Sequence, residues 1–422
     1  MNGIMYDVVV LGAGPAGLAA GYAASRAGSN VLIIEREERA GGILKQCIHD
    51  GFGLIRFKQK LTGPEYAERY IRMVNELSVP VLTSTFVTKV KKENNLFNIE
   101  LVNEKDGVFE INAKSLVLAN GCRERTSKQV FIHGSRPSGV YTAGTAQYFV
   151  NIMGYLPCKK CVILGSGDIG LIMARRLTLE GTEVLGVYEA KTTPSGLARN
   201  IVQCLEDYNI PLYLSHTVTR IVGTDRVEAV EIAKVDDSMR PIPGTQQMVE
   251  CDGLILSVGL IPENEIAEAL GIKMDANTRG PVVDQNFMTS MEGVFSCGNA
   301  LHVNDLVDYV SESGELAGEY AADYSKGHYE RKLIAICGDS KDFLYIVPQY
   351  IDINSDNKKA VIYFRSRDVR YDTRVSASFG GVVVHEKKHS VMRPPEMEKI
   401  ELDLSKLEIS ADSRLELRMV EG

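Results

Sequence analysis

A glycine pattern, G-x-G-x-x-G, occurs twice in this chain and constrains its fold more than any other feature. The six glycines are Gly12, Gly14, Gly17, Gly165, Gly167 and Gly170. Each copy follows a short apolar run, at 8–11 and at 162–164, and precedes a stretch with helical spacing. In that setting the first glycine permits a tight turn, the second lets the backbone approach a pyrophosphate, and the third lets the helix pack on the strand. The repeat therefore predicts two Rossmann-like units, each with a helix N-terminus facing a dinucleotide.

Residues beside the first copy are expected to contact the same ligand. Pro15 and Ala16 lie inside the glycine turn, and a second apolar strand ends in Glu35, which is followed by Arg36. The Glu35 carboxylate falls where a pair of ribose hydroxyls would be held. The alternative is a glycine-rich turn in an ordinary α/β unit that binds no nucleotide.

The second copy repeats this arrangement. Asp168 and Ile169 lie inside its turn, and the following strand, EVLGVYEA, carries Glu189 near its end. Glu189 would accept a hydrogen bond from a free ribose 2′-hydroxyl and repel a 2′-phosphate, which favours NADH over NADPH. Lys191, two residues further on, opposes that preference.

Two dinucleotide sites in one polypeptide indicate that electrons pass between two dinucleotides. FAD and NAD(P)H are the natural pair, because a flavin accepts a hydride from nicotinamide and releases electrons singly or in pairs. The repeat therefore predicts an oxidoreductase in which NADH reduces FAD. An internal repeat without two ligands is the alternative.

Four further motifs resemble those of the two-dinucleotide flavoprotein reductases, the thioredoxin-reductase and glutathione-reductase class. They are REERAGGIL, LVLANG, LSVGLIPEN and GVFSCGNA. Asn120 replaces the usual threonine of the second motif, and Asn299 replaces the usual acidic residue of the fourth, although an amide also forms hydrogen bonds. The resemblance implies cofactor contacts at Gly42, Val87, Ala119, Asn120, Gly121, Gly259, Gly298 and Asn299.

The same resemblance covers 6–326 and implies an α/β fold with a split FAD-binding domain. This domain comprises 1–121 and 288–330, and an NAD(P)-binding domain, 122–287, is inserted into it. Residues 331–422 differ in character, because stretches of alternating polarity are separated by loops such as NSDNK and MRPPEM. They predict an antiparallel β-sandwich-like domain. Such a domain either docks a partner or packs on its own reductase core.

A narrower resemblance is carried by GCRERT, by GSRPSGVYTAGTAQYFVNIMGYLP, and by GGILKQCIHDGFG with LTGPEYAERY. These segments are similar to FAD/NAD(P)-binding subunits related to bacterial amino-acid dehydrogenases and hydrogen cyanide synthase. They are still more similar to the reductase subunits that accompany glycerol-3-phosphate-dehydrogenase-like flavoproteins. The resemblance implies a homo- or hetero-oligomer with two kinds of partner, a small cysteine-rich protein and a dehydrogenase-like flavoprotein subunit.

The cysteines match neither dithiol arrangement of that class. Only Cys47 follows Gly42 at the place where the glutathione-reductase type has two cysteines, and GVYTAGTAQ lacks the C-x-x-C of the thioredoxin-reductase type. By the resemblance Cys47 lies beside the flavin, as a peroxide-reducing thiol or a charge-transfer partner, with His49 stabilising a thiolate. A small residue packing a loop is the alternative. We interpret the C-x-x-C formed by Cys158 and Cys161 as a turn before a buried strand.

Composition excludes several other classes. The 422 residues carry a formal net charge of −8, which argues against nucleic-acid binding. The run 8–11 is short, ends at Gly12 and follows Asp7 rather than a basic leader, so neither a signal peptide nor a membrane span is expected. Eight scattered cysteines are typical of reduced thiols in a cytoplasmic protein. No histidine or cysteine pattern indicates a metal site.

Three functions stay open from the sequence. The favoured one is a cytoplasmic FAD-dependent oxidoreductase that passes hydride from NADH or NADPH to flavin and on to a partner protein, a thiol or oxygen. The second is an FAD-binding subunit of an amino-acid or glycerol-3-phosphate-type dehydrogenase complex. The third is a non-catalytic dinucleotide-binding scaffold.

Overall fold

Each glycine-rich turn joins a strand of a parallel sheet to the helix that follows it. The computed structural model describes residues 3–327, 330–406 and 413–421. The chain divides into two units, of which unit 1 is formed by two stretches of chain and unit 2 by the stretch between them. Unit 1 is Met1–Cys122 with Pro262–Gly422, and unit 2 is Arg123–Ile261.

Helices and strands are mixed along the chain up to α7 (Val307–Lys326), and strands dominate after it. In the described ranges the helices are α1 (Pro15–Arg26), α2 (Gly63–Glu76), α3 (Ala143–Tyr148), α4 (Asp168–Leu179), α5 (Ala198–Cys204), α6 (Glu265–Ala269) and α7 (Val307–Lys326). The strands before the second glycine turn are β1 (Met5–Leu11), β2 (Val31–Ile34), β3 (Asp50–Phe52), β4 (Leu61–Thr62), β5 (Val81–Leu82), β6 (Phe86–Glu93), β7 (Leu96–Asn103), β8 (Gly107–Leu118), β9 (Cys122–Glu124), β10 (His133–Gly134), β11 (Val140–Thr142) and β12 (Lys160–Leu164). The later strands are β13 (Glu183–Glu189), β14 (Leu212–Leu214), β15 (His216–Val222), β16 (Ala229–Lys234), β17 (Gln247–Glu250), β18 (Gly253–Leu256), β19 (Leu260–Pro262), β20 (Val294–Ser296), β21 (Leu333–Gly338), β22 (Phe343–Val347), β23 (Tyr350–Asp352), β24 (Lys359–Ser366), β25 (Arg370–Phe379), β26 (Val382–Met392), β27 (Glu398–Asp403) and β28 (Leu415–Glu421). Across the described ranges, no helix combines the length and apolar character needed to cross a bilayer.

Unit 1 contains a sheet in the order β5–β2–β1–β8–β7–β6, and β20 also pairs with β8. Strand β1 lies inside the sheet because Val8, Val9 and Val10 are fully buried and need cover on both faces. Strands β5, β2, β1, β8 and β20 pair in parallel, and β6 and β7 extend the sheet in antiparallel pairing. Helices α1 and α7 pack closely, with Gly314 directly against the backbone of Ala16.

Unit 2 repeats the same strand–turn–helix order. Its parallel sheet has the order β11–β18–β12–β13–β14, and a second sheet has the order β10–β15–β16–β17. Val162 and Ile163 of β12 are fully buried, and Leu171 and Ala174 of α4 belong to the same unit's core. The predicted α/β fold with two Rossmann-like units is therefore confirmed.

The C-terminal strands form two sheets, as the alternating polarity predicts. Their orders are β23–β21–β28–β25–β26 and β22–β24–β27. One strand, β21, is not predicted, because LIAICG does not alternate, and it pairs in parallel with β28. This region packs on α7, where Glu312 accepts a hydrogen bond from Tyr363 at 2.8 Å and pairs with Lys399 at 2.7 Å.

The division into units differs from the motif-based boundaries. Residues 262–287, which the motifs assign to the NAD(P)-binding domain, belong to unit 1, and so do residues 331–422. Ala267 and Ile272 are buried in the core that β1 and β8 share. The motifs start the second part of the FAD-binding domain at residue 288, later than Pro262, because GVFSCGNA is the first recognisable motif after the inserted domain.

Candidate dinucleotide-binding sites

The first glycine turn joins β1 to α1. Gly12 has a φ of +104°, and a Cβ at this position would lie 2.5 Å from the backbone oxygen of Ala119. Any side chain here would separate the ends of β1 and β8. Gly14 is the N-cap of α1 and Pro15 its first residue, with Ala16 next. The turn therefore presents the N-terminus of a helix, which is the arrangement that binds a pyrophosphate.

Glu35 closes this turn directly after β2. Its side chain is buried, Oε2 accepts a hydrogen bond from the backbone N–H of Ala13 at 2.8 Å, and Oε1 accepts one from that of Glu37 at 2.8 Å. The carboxylate is thereby fixed at the edge of the turn. Arg36 pairs instead with Glu263, at 2.8 Å between Nη1 and Oε2.

Two amide side chains lie beside the turn. The Oδ1 atom of Asn120 is buried and has no hydrogen-bond partner among the described residues. Asn299 accepts a hydrogen bond from the backbone N–H of Asn304 at 3.0 Å, but its Nδ2 contacts only a weak acceptor, the Sγ of Cys122, at 3.6 Å. Because buried amide atoms are normally hydrogen-bonded, the unpartnered Oδ1 of Asn120 indicates a polar ligand.

Other predicted residues of unit 1 lie around the same turn, with one exception. A Cβ at Gly42 would lie 2.9 Å from the Cα of Gly14, and one at Gly298 would lie 2.7 Å from the Cβ of Ala16. Gly17 packs against the carbonyl of Gly12, and Gly121 follows Asn120 with a φ of +74°. Val87 lies on β6 and packs on the core of unit 1, with no described contact to the turn.

The second turn, between β12 and α4, is built in the same way. Gly165 has a φ of +102° and lies so close to the carbonyl of Ser257 that no Cβ fits. Oε2 of Glu189 accepts hydrogen bonds from the backbone N–H of Ser166 at 3.1 Å and from its hydroxyl at 2.6 Å. Oε1 accepts one from the backbone N–H of Lys191 at 3.1 Å. Glu189 therefore occupies the place in unit 2 that Glu35 has in unit 1.

The remaining predicted residues of unit 2 lie at the start of α4 and at the end of β18. Gly167 is the N-cap of α4 and Asp168 its first residue. Ile169 is partly exposed, and Gly170 packs against the carbonyl of Gly165. After β18, the carbonyl of Gly259 accepts a hydrogen bond from the backbone N–H of Arg125 at 3.0 Å.

A comparison with protein families identifies the family that has this pair of sites. Residues 6–317, which include both glycine turns, match the model of the pyridine nucleotide-disulphide oxidoreductases. The chain belongs to this family. The predicted resemblance to the two-dinucleotide reductases is therefore confirmed.

Relatives and solved structures agree with this family. An opine oxidase subunit of Agrobacterium tumefaciens (strain Ach5) is 23% identical over 346 residues, which cover 75% of this chain and 64% of the relative. Hydrogen cyanide synthase subunit HcnB of Pseudomonas protegens is 24% identical over 290 residues, 64% of this chain and 60% of the relative. The match thus spans less than two thirds of both relatives. Thioredoxin reductase of T. acidophilum has the same fold, with a TM-score of 0.61 at 24% identity over 76% of this chain and 99% of that one.

A pyridine nucleotide-disulphide oxidoreductase requires FAD and a pyridine nucleotide, and the residues present fit both. Unit 1 offers a turn without room for a Cβ at Gly12, the fixed carboxylate of Glu35, and the amides of Asn120 and Asn299. Unit 2 offers the corresponding turn with Glu189. In the described ranges no three His, Cys, Asp or Glu side chains form a potential metal site.

The family's name refers to a disulphide, but six of the eight cysteines here are buried, and Cys122 and Cys337 are partly buried. Cys47 is 6% exposed, its Sγ donates to the carbonyl of Ile43 at 3.4 Å, and burial raises its pKa to about 12. His49 contacts the ring of Phe52, at 5.0 Å between centroids. In unit 2, the hydrogen bond with Cys158 and burial raise the pKa of Cys161. The redox roles of Cys47 and His49 stay predictions, and the burial of Cys47 favours a protonated thiol.

We expect Cys47 to react slowly with iodoacetamide in the folded protein. Because burial raises its pKa to about 12, little thiolate forms below pH 9, and the rate should stay far below that of an ordinary thiol throughout this range. Peptide mass spectrometry after timed alkylation measures this rate, with the less deeply buried Cys337 as the internal reference. Alkylation of Cys47 as fast as that of Cys337 at pH 8 would support a reactive thiol.

Two residues that support these sites, Ser166 and Asp308, are specified by no recognisable motif. Ser166 occupies a variable position of the glycine pattern, and its hydroxyl contacts Glu189. Asp308 of α7 accepts hydrogen bonds from the backbone N–H groups of Gly53, at 3.2 Å, and Arg56, at 2.7 Å. It thereby fixes the loop that follows Cys47 and His49. Neither contact has a sequence signature beyond a polar residue beside a motif.

Proposed function

We propose that the protein is a FAD-dependent NAD(P)H oxidoreductase in which unit 1 holds FAD and unit 2 holds the pyridine nucleotide. The duplication of one built site carries the proposal. Each site is a glycine turn too tight for a side chain, closed by a buried carboxylate whose two oxygens are fixed by backbone N–H groups. In this proposal residues 262–287 go with the FAD-binding unit.

The chain's own contribution is binding and orientation. The backbone at Gly14, Pro15 and Ala16 would hold the pyrophosphate of FAD at the N-terminus of α1, and Glu35 would accept hydrogen bonds from its ribose. Asn120 and Asn299 would donate to or accept from its other polar groups. Bound FAD supplies the capacity to accept a hydride from reduced nicotinamide and to release electrons singly or in pairs. Holding both cofactors in one chain replaces a bimolecular encounter with an oriented transfer.

NADH is the proposed donor. Glu189 is buried and its carboxylate is held by two backbone N–H groups, so a 2′-phosphate placed beside it would be repelled. The backbone N–H of Lys191 serves to fix Glu189. These contacts support NADH over NADPH.

Exchanging Glu189 for arginine should reverse this preference. Arginine replaces a carboxylate that repels a 2′-phosphate with a cation that pairs with it, so the NADH-to-NADPH ratio of kcat/KM should fall by at least about tenfold. Steady-state kinetics with both nucleotides measure the ratio. Glu183→Arg, the same change on the same strand at an exposed position, is the matched control. An unchanged ratio in Glu189→Arg would contradict the ribose assignment.

We propose a partner protein as the electron acceptor in preference to a thiol or oxygen. Two relatives, one from opine oxidase and one from hydrogen cyanide synthase, are named as subunits. Because burial raises the pKa of Cys47, its thiol is poorly suited to receive electrons from the flavin and pass them on. The proposed partner classes are a small cysteine-rich protein and a dehydrogenase-like flavoprotein subunit. The same names favour a second candidate, the FAD-binding subunit of an amino-acid or glycerol-3-phosphate-type dehydrogenase complex.

An anaerobic titration separates these functions. The purified full chain is mixed with NADH, and the visible absorbance of the flavin is followed. Prompt loss of flavin absorbance with NADH supports the oxidoreductase. If NADH causes no loss but an amino acid or glycerol 3-phosphate does, the result supports the dehydrogenase subunit. Bleaching by none of them, in protein that contains FAD, would overturn both in favour of a scaffold.

A further inference from the structure

The carboxylate of Glu189 differs from that of Glu35 in its hydroxyl partners. Glu35 is held by two backbone N–H groups. Glu189 has the two corresponding backbone bonds, and its Oε2 also accepts hydrogen bonds from the hydroxyls of Ser166, at 2.6 Å, and Ser195, at 3.2 Å. The second site therefore has an extra layer of contacts that the first site lacks.

The same serines connect the carboxylate to the segment that follows β13. The backbone N–H of Ser195 donates to the hydroxyl of Ser166 at 2.9 Å. Asp168, the first residue of α4, accepts hydrogen bonds from the backbone N–H of Leu197 at 2.9 Å and from the side chain of Asn200 at 2.7 Å. Residues 195–200, which we call the strap, are thus tied to the glycine turn through both Ser166 and Asp168.

The two carboxylate oxygens of Glu189 differ in how many protein hydrogen bonds they accept, and this difference affects ligand binding. A carboxylate offers about four lone-pair sites, roughly two on each oxygen. Oε2 of Glu189 has three protein donors, whereas Oε1 has one, the backbone N–H of Lys191. Oε1 is therefore the oxygen that is open to a ligand, and the two serine hydroxyls hold the carboxylate so that this oxygen stays in place.

We infer that Ser195 is a positioning residue that sets the choice between NADH and NADPH by holding the Glu189 carboxylate. This inference rests on the proposed binding of a pyridine nucleotide by unit 2. Without the Ser195 hydroxyl, Oε2 loses one of its three donors, and the carboxylate is held less firmly in its ribose-facing orientation. A ribose 2′-hydroxyl then loses its acceptor and a 2′-phosphate loses part of its repulsion. The two nucleotides are affected in opposite directions, which a general loosening of the site would not produce.

The test is the affinity of Ser195→Ala for NAD⁺ and NADP⁺, measured by titration calorimetry on the full chain. Hydrogen bonds to charged groups are strong enough for the NAD⁺ Kd to rise about tenfold, while the NADP⁺ Kd stays constant or falls. In steady-state assays the KM for NADH should rise with kcat nearly unchanged. Ser195→Thr keeps the hydroxyl and should restore the unaltered preference.

Ser138→Ala is the matched control, because Ser138 is a serine of unit 2 whose hydroxyl bonds to the carbonyl of Asp225 and does not contact Glu189. The inference is overturned if the Kd values of Ser195→Ala for NAD⁺ and NADP⁺ change in parallel, or if neither changes. In both cases NAD⁺ binding by the unaltered chain leaves the proposed function intact. An unaltered chain that binds neither nucleotide would overturn the proposed function together with this inference.

Discussion

Replacing Gly14 with valine should give a folded protein that binds FAD at least about tenfold more weakly. Gly14 has an ordinary φ of −73°, and the nearest atom to an added Cβ is the Cα of Gly42 at 3.9 Å. A Cβ therefore fits at this position in the protein alone. The added side chain would occupy the space in which the backbone approaches a pyrophosphate. The flavin-to-protein absorbance ratio of the purified variant measures the loss.

Two controls separate ligand loss from misfolding. Gly327→Val introduces the same side chain at an extended position with no atom within 4 Å, and FAD content should not change. NAD⁺ binding by Gly14→Val should also persist, because the substitution lies in unit 1. A Gly14→Val protein with a full complement of FAD would contradict the assignment of this turn to the flavin.

Replacing Asp284 with alanine should lower the free energy of unfolding by about 3–5 kcal/mol, the usual result of removing one partner of a buried ion pair. Asp284 is fully buried, and its Oδ2 accepts a hydrogen bond from Arg331 at 3.0 Å, whose side chain is 8% exposed. Its Oδ1 accepts bonds from the backbone N–H groups of Asn286 and Met288, at 2.9 and 3.1 Å. Alanine would leave a buried guanidinium and two N–H groups without an acceptor. Urea unfolding followed by circular dichroism measures the change.

An exposed pair provides the matched control for this substitution. Glu68 and Arg72 form an ion pair at 2.9 Å with both side chains more than half exposed, and Glu68→Ala should change stability by less than about 1 kcal/mol. The double variant Asp284→Ala/Arg331→Met should recover part of the loss, because the unpaired charge is gone. A loss below about 1 kcal/mol in Asp284→Ala would show that water reaches this pair.

Local patterns account for what could be predicted from the sequence. Strand β13 ends at Glu189, which lies near the end of the predicted strand EVLGVYEA. Both glycine turns lie between a buried strand and a helix. Each of these features depends on residues within one strand–turn–helix segment, where spacing alone determines which side chains are buried.

Features that depend on distant partners could not be predicted. Strand β21 is stabilised by pairing with β28, near the other end of the C-terminal region. The strap is held by Ser166 and Asp168, which precede it by a whole helix and strand. The depth at which Cys47 lies is likewise set by the packing of α2, since a Cβ at Gly63 would lie 2.8 Å from the Cβ of Cys47. Sequence spacing contains no information about such contacts.

The interrupted course of unit 1 has a consequence for its synthesis. Strand β20 pairs with β8, and α7 packs on α1, although unit 2 separates these elements in the chain. A ribosome therefore releases all of Arg123–Ile261 before the elements that finish the first sheet emerge. Domains generally fold as units while translation proceeds, so residues 1–122 leave the ribosome before their packing partners β20 and α7 exist.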